Sequence, residues 1–128
     1  MKKKVLAVDD DVSVCEMYEQ GLPAMGYDVH CAASAKQAKA YLAGEIPDLI
    51  LMDIMMADQD GISLTREIRS DPRTSSIPIL VVSGLSDAGT LNDALLFGAV
   101  DYLVKPLDLG VLKAKMERAI ALKEKRKP

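Results

Sequence analysis

Five short apolar runs punctuate the chain: VLAV (5–8), YDVHC (27–31), DLILM (48–52), IPILVV (77–82) and YLV (102–104). Each has the length and the β-rich composition of a strand. Between them the apolar positions change period. Val14, Met17, Tyr18, Leu22 and Met25 recur at steps of three and four, as do Leu109, Leu112, Met116 and Ile120, which predicts amphipathic helices. Ser34-Ala35-Lys36-Gln37 reads as a capping box opening the second helix, and Asp108 as a cap for the fifth. Gly26, Gly44 and Gly98 stand where the first, second and fourth helices should end. Pro23 lacks an N–H and its ring crowds the carbonyl of Glu19, so the first helix is expected to kink or stop around Gly21-Leu22.

Strict alternation of strand and helix with short connections implies right-handed crossovers and a parallel sheet covered on both faces. The predicted fold is α/β, a doubly wound, flavodoxin-like five-stranded parallel sheet with five helices, for which 2-1-3-4-5 is one common strand order. Sites in such sheets lie beyond the carboxyl ends of the strands. The polar residues obey that rule. The first strand ends in Asp9-Asp10-Asp11, the third in Asp53, the fourth in Ser83-Gly84 and the fifth in Lys105-Pro106, whereas the second ends in Ala32-Ala33.

Composition narrows the field. The 128 residues are 49% apolar with no long polar tract, which suits one folded domain. A net charge of −3 argues against direct nucleic-acid binding. Basic residues gather only at Lys2-Lys3-Lys4 and in the last six positions; residues 1–122 are read as the domain and 123–128 as a basic tail or the start of a linker. The four-residue run after the lysines is too short for a signal peptide's apolar core, and nothing approaches the roughly 18 apolar residues of a membrane span. Cys15 and Cys31 lack metal-binding spacing and fit buried thiols in a reducing cytoplasm. His30 falls on the second strand, where a surface or half-buried place suits it better than catalysis.

With the first and third strands as neighbours about 5 Å apart, carboxylates from both tips can share one hard cation, and oxygen donors suit Mg²⁺. Without a cation such a cluster would raise its members' pKa values by mutual repulsion. Lys105 can reach back across the fourth strand toward Asp53, Ser83 sets a hydroxyl between them, and Gly84 leaves room for a bulky group. Carboxylate nucleophile, Mg²⁺, lysine and hydroxyl suit phosphoryl transfer onto an aspartate.

The stretches VLAVDDD, DLILMDIMMADQDG, IPILVVSG and GAVDYLVKP, spread over about residues 4 to 122, resemble the receiver domains of two-component response regulators. The resemblance implies that Asp53 accepts a phosphoryl group from a phosphohistidine on a histidine kinase or phosphotransfer protein. It makes Asp10 a direct Mg²⁺ ligand, Asp9 a water-mediated one and the Met55 backbone carbonyl a third protein ligand. Ser83 and Lys105 would hold the phosphoryl oxygens, and Tyr102 would change rotamer as Ser83 moves. A cis Lys105-Pro106 peptide is implied as well. The signalling face would be the fourth helix, fifth strand and fifth helix, which contact a downstream protein.

The sequence departs from the family's pattern at several places. Ala57 stands where proline is usual, which predicts a looser loop, and Ser83 where threonine is common. Val100 replaces an acid, and Glu117 sits where a basic residue is usual. Asp101 and Lys115 remain as one candidate pair for the charge network by which receivers of the winged-helix class dimerise. With that network broken, a monomer, or a dimer through another surface, is expected.

Three alternatives compete. Counting from Met56, Asp58, Asp60, Gly61 and Glu67 fall at EF-hand positions, but Met56 cannot supply the first oxygen. A Mg²⁺-dependent aspartyl-phosphate phosphatase would need an acid two residues after the nucleophile, where Met55 stands. A degenerate receiver acting only as an interaction module would not need all the acidic, hydroxyl and basic positions present here.

Overall fold

The computed structural model describes residues 2–125. Strands and helices alternate without exception: β1 (Lys3–Val8), α1 (Val12–Ala24), β2 (Tyr27–Ala32), α2 (Ala35–Gly44), β3 (Leu49–Met52), α3 (Gly61–Ser70), β4 (Ile79–Ser83), α4 (Ala88–Leu96), β5 (Asp101–Val104) and α5 (Leu109–Lys125). The strands form one sheet in the order β2-β1-β3-β4-β5, with every neighbouring pair parallel. This is the predicted doubly wound arrangement.

The unbroken apolar runs are explained by two cores, one on each face of the sheet. Leu6, Val8, Ile50, Met52, Ile79 and Val81 point to one side, against Ala38 and Leu42 of α2, Leu64 and Ile68 of α3 and Ala94 of α4. Their alternates Val5, Ala7, Leu49, Leu51, Leu80 and Val82 point to the other, against Tyr18 and Leu22 of α1 and Leu112, Met116 and Ile120 of α5. Every residue of β3 and β4 is buried, because each pleat face meets helices. Burying a single Leu or Ile in this way is worth about 1.5–3 kcal/mol.

Helix ends follow local chemistry. Ser34 accepts the Gln37 N–H at 3.1 Å while the Gln37 side chain reaches back to the Ala33 N–H at 2.9 Å, one residue before the partner that a strict capping box uses. Asp108 accepts the Val111 N–H at 3.0 Å at the start of α5. Gly26 (φ 94°) and Gly98 (φ 122°) follow α1 and α4 in the left-handed region, whereas Gly44 is the last residue of α2 and needs no such conformation.

The first helix corrects one half of an expectation, the stop at Gly21-Leu22. It does not stop at Gly21-Leu22 but runs through Pro23 to Ala24, closing with short-range bonds from Met25 to Leu22 and from Gly26 to Pro23. The reason is placement. Pro23 and Glu19 lie on the exposed side of the helix, so the carbonyl that proline leaves without a donor faces water, while Leu22 stays buried. At the other end of the chain α5 includes residues 123–125, and the remainder of the basic tail, 126–128, lies outside the described residues. Among the described residues no helix is long and apolar enough to cross a membrane.

Candidate functional site

Ladder bonds carry past the ends of the strands and fix the residues there. Val8 and Met52 are in register across β1 and β3, so Asp9 and Asp53 stand side by side one step beyond. The Asp53 N–H donates to the Val8 carbonyl at 2.9 Å, the Asp9 N–H to Ala32 at 3.0 Å, and the Lys105 N–H to Ser83 at 2.8 Å. Asp9 and Asp53 are only 1% and 6% exposed, whereas Asp10 faces solvent. One carboxylate oxygen from each of the three lies within 4.8 Å of the other two.

Lys105 is the cation of the cluster. Its Nζ lies 2.7 Å from Asp9 Oδ2 and 3.7 Å from Asp53 Oδ2, so it reaches Asp53 as expected but binds Asp9 more tightly. The lysine precedes a cis peptide bond to Pro106, as the resemblance implied. Burial pulls the Lys105 pKa down, but its hydrogen bond to Asp9 and the charges of Asp9 and Asp53 outweigh that and leave it raised. Burial, joined by the charge of Asp9, pushes the Asp53 carboxyl up to about 6 against the opposing pull of Lys105. Three carboxylates against one lysine leave two negative charges in excess, and their donors are hard oxygens. That donor set fits a hard divalent cation.

The remaining predicted residues surround this cluster. Ser83 is buried, and its Oγ accepts the Leu85 N–H at 3.2 Å. The Tyr102 hydroxyl donates to the Leu85 carbonyl at 2.5 Å, so Ser83 and Tyr102 hold the two sides of one peptide segment. A Cβ at Gly84 would meet nothing within 4 Å, which leaves the mouth beside Ser83 open. The Met55 side chain is 65% exposed on the loop after β3. Ala57, in the place of the usual proline, donates its N–H to Asp10 Oδ2 at 3.3 Å, a bond that proline cannot make. Cys15 and Cys31 are free thiols with Sγ donating to the backbone carbonyls of Asp9 and Cys15, and burial raises both pKa values.

Two contributors escaped the sequence reading. Gly61, the first residue of α3, packs so closely on the end of β3 that a Cβ would lie 1.9 Å from the Asp53 carbonyl oxygen; its N–H donates to the Ile54 carbonyl at 2.7 Å. Asp58 binds the start of α2 through the N–H groups of Ala35 and Lys36 at 3.1 and 3.0 Å. A glycine opening a helix directly after the capping residue Asp60 was the available signal for the first. Nothing local marked the second. Asp101 and Lys115, the one candidate pair for the dimer network, meet each other within the chain at 3.0 Å.

A parallel doubly wound sheet with a carboxylate cluster, a lysine and a hydroxyl at its carboxyl edge defines a class of phosphoacceptor-type sites. Comparison gives the family directly. The model of the response regulator receiver domain matches residues 5–117, and the chain belongs to that family. The transcriptional regulatory protein ZraR of Escherichia coli strain K12 is 40% identical over 117 residues, 91% of this chain and 26% of that protein. The chain thus spans about a quarter of the length of such relatives. Among solved structures, a CheY-like receiver domain protein from Methanospirillum hungatei JF-1 superposes with a TM-score of 0.92 at 28% identity, covering 99% of this chain and 100% of that one. The receiver domain of the sensor histidine kinase PA1611 from Pseudomonas aeruginosa PAO1, with a magnesium ion coordinated in its active-site cleft, gives 0.86 at 30% identity over 94% of this chain and 99% of that one.

Proposed function

We propose that this receiver domain is a phosphorylation switch in which Asp53 takes a phosphoryl group from a phosphohistidine on a histidine kinase or phosphotransfer protein. The observation that carries the reading is the convergence of Asp9, Asp10 and Asp53 on Lys105 at one sheet edge. An Asp53 Oδ attacks phosphorus, the P–N bond breaks, and its electron pair leaves with the imidazole. The carboxylate needs no general base, since it is already the anion. Mg²⁺, held by Asp10 directly, by Asp9, by Asp53 and by the Met55 carbonyl, would neutralise charge on the transferring oxygens. Lys105 screens the same oxygens from the other side, and Ser83 donates its hydroxyl to one of them.

The switch follows from the Ser83–Leu85–Tyr102 chain of contacts. When the Ser83 hydroxyl turns toward a phosphoryl oxygen, the Leu85 N–H loses its acceptor and the segment after β4 shifts. The Tyr102 hydroxyl then loses the Leu85 carbonyl in its present place. The face it belongs to, on α4, β5 and α5, exposes Leu95, Leu96, Val100, Val104 and Leu122, a surface suited to a downstream protein. Asp101 and Lys115 pair within the chain, which supports a monomer over a winged-helix type dimer, and the chain acts in the cytoplasm. It catalyses only its own phosphorylation and dephosphorylation: Met55 cannot serve as the leaving-group acid that a phosphatase needs.

Incubation with acetyl phosphate and Mg²⁺ tests this. One acid-labile phosphoryl group per chain is the expected result. Sustained release of phosphate from an excess of a phosphate monoester, whose leaving group needs an acid, would point to a phosphatase, and no reaction with acetyl phosphate to a module that signals by contact alone.

A further inference from the structure

The loop between Asp53 and Gly61 carries the Met55 carbonyl and the Ala57 N–H that meets Asp10, yet residues 55, 57, 58 and 60 are all exposed. Only Ile54 and, in part, Met56 pack on the core, and the usual proline is absent. Its two ends are fixed: the Asp53 N–H bonds to Val8, and the Gly61 N–H to Ile54. Between them Asp60 caps α3 through the Ser63 N–H at 2.8 Å, and the loop is tied to α2 by the Asp58 carboxylate, whose two oxygens accept one N–H each from Ala35 and Lys36. These are the first two donors of α2, which lack partners inside their own helix. Ser34 takes the third donor, Gln37 N–H, and the Ser34 carbonyl takes the fourth, Ala38 N–H, at 3.0 Å. The helix start is thus closed jointly by its own cap and by a residue 23 positions away in sequence. The same two N–H groups, Lys36 first, hold the Asp58 carboxyl below the usual range.

We infer that Asp58 is a positioning residue for the acceptor site: by clamping the loop to the N-terminus of α2, it sets the Met55 carbonyl and Ala57 N–H relative to Asp10 and Asp53. The inference rests on the functional reading above for the role of Met55. It also gives the edge strand a part in the site, since β2 delivers α2 to the place where the loop is tied. The helix N-terminus attracts the carboxylate, and each oxygen is spent on one donor, so the loop can neither rotate nor lift without losing a bond. Loss of either bond frees the segment that carries the Met55 carbonyl and the Ala57 N–H. Rigid support of this kind is what outer partners of a metal site supply.

Calorimetric titration of Mg²⁺ into the whole chain tests the clamp against mere helix capping. Asp58→Ala should weaken Mg²⁺ binding by about tenfold, the lower end of what supporting residues contribute, and Asp58→Asn, which keeps one acceptor oxygen, should recover part of that loss. Ser34→Ala removes a cap from the same helix end and should lower thermal stability to a similar degree in EDTA, but leave Mg²⁺ affinity unchanged. In the wild type, Mg²⁺ should shift the amide resonances of Ala35 and Lys36, and in Asp58→Ala it should not. Wild-type affinity in Asp58→Ala, or an equal loss in Ser34→Ala, would overturn the clamp. A wild type that binds no Mg²⁺ would remove the functional reading, and the clamp with it.

Discussion

At the tips of β1, β3 and β5, backbone ladder bonds place Asp9, Asp53 and Lys105, and two cores hold the strands behind them. In the loop between β3 and α3, exposed side chains do the placing, through Asp58 on α2, Asp60 on α3 and the Ala57 N–H on Asp10. Asp53 and Lys105 thus sit on the rigid part of the molecule. The backbone groups that would complete a cation site sit on the adjustable part. The contrast suits a switch, because a loop held by a few replaceable bonds can respond to a cation or phosphoryl group while the strands stay still.

The sharpest way to break the comparison is at Gly61, where loop and strand touch. Gly61→Ala drives a Cβ into the Asp53 backbone and should destabilise the fold by about 3 kcal/mol, read by urea unfolding. Gly44→Ala, whose Cβ would meet nothing within 4 Å, should instead stabilise by about 0.5–1 kcal/mol. Equal effects would mean that the close approach at Gly61 is relieved by movement of the loop.

The carboxylate cluster should make its own mark on stability when no cation is present. Asp53 has a folded-state pKa of about 6, above the usual carboxylate value, so its ionised form costs the fold free energy. Above about pH 6 that cost is fully expressed; as pH falls the folded chain takes up the proton before the unfolded one, and the cost disappears near the unfolded value of about 4. Asp53→Asn in EDTA should therefore stabilise the protein by on the order of 2 kcal/mol near pH ~8, with the gain vanishing toward pH ~4. Thermal unfolding across that range checks it, and a gain that grows as pH falls would contradict the cost assigned to burial and to the charge of Asp9.

These two regions also differ in how far they could be read without coordinates. The strand tips were legible because burial on both sheet faces demands an apolar run, and a carboxylate ending such a run stands out. Strand order then brings Asp9, Asp53 and Lys105 together by simple geometry. The loop's bonds were not legible. Asp58 meets Ala35 only because α2 and the loop arrive at one place in space, and Asp58 itself reads as any turn aspartate. Pro23 misled for a related reason: its cost depends on whether the Glu19 carbonyl faces water or core, which periodicity near a helix end leaves undecided.

The smallest effect is expected on the signalling face. Lys115→Ala breaks a half-exposed pair with Asp101, worth about 0.5 kcal/mol, and sedimentation with beryllofluoride and Mg²⁺ should show a monomer before and after the change. A tight dimer that Asp101 or Lys115 substitutions disrupt would show that these charges open toward a partner copy.

The account stands most directly on the identity of the acceptor. Borohydride reduction of the protein labelled by acetyl phosphate, followed by peptide mapping, converts an acyl phosphate to homoserine at its own position. Homoserine in place of Asp53 alone is the predicted result, with Asp53→Asn unlabelled and Asp10→Asn labelled slowly at the same place. Homoserine in place of Asp9 or Asp10, or full labelling of Asp53→Asn at the wild-type rate, would contradict it.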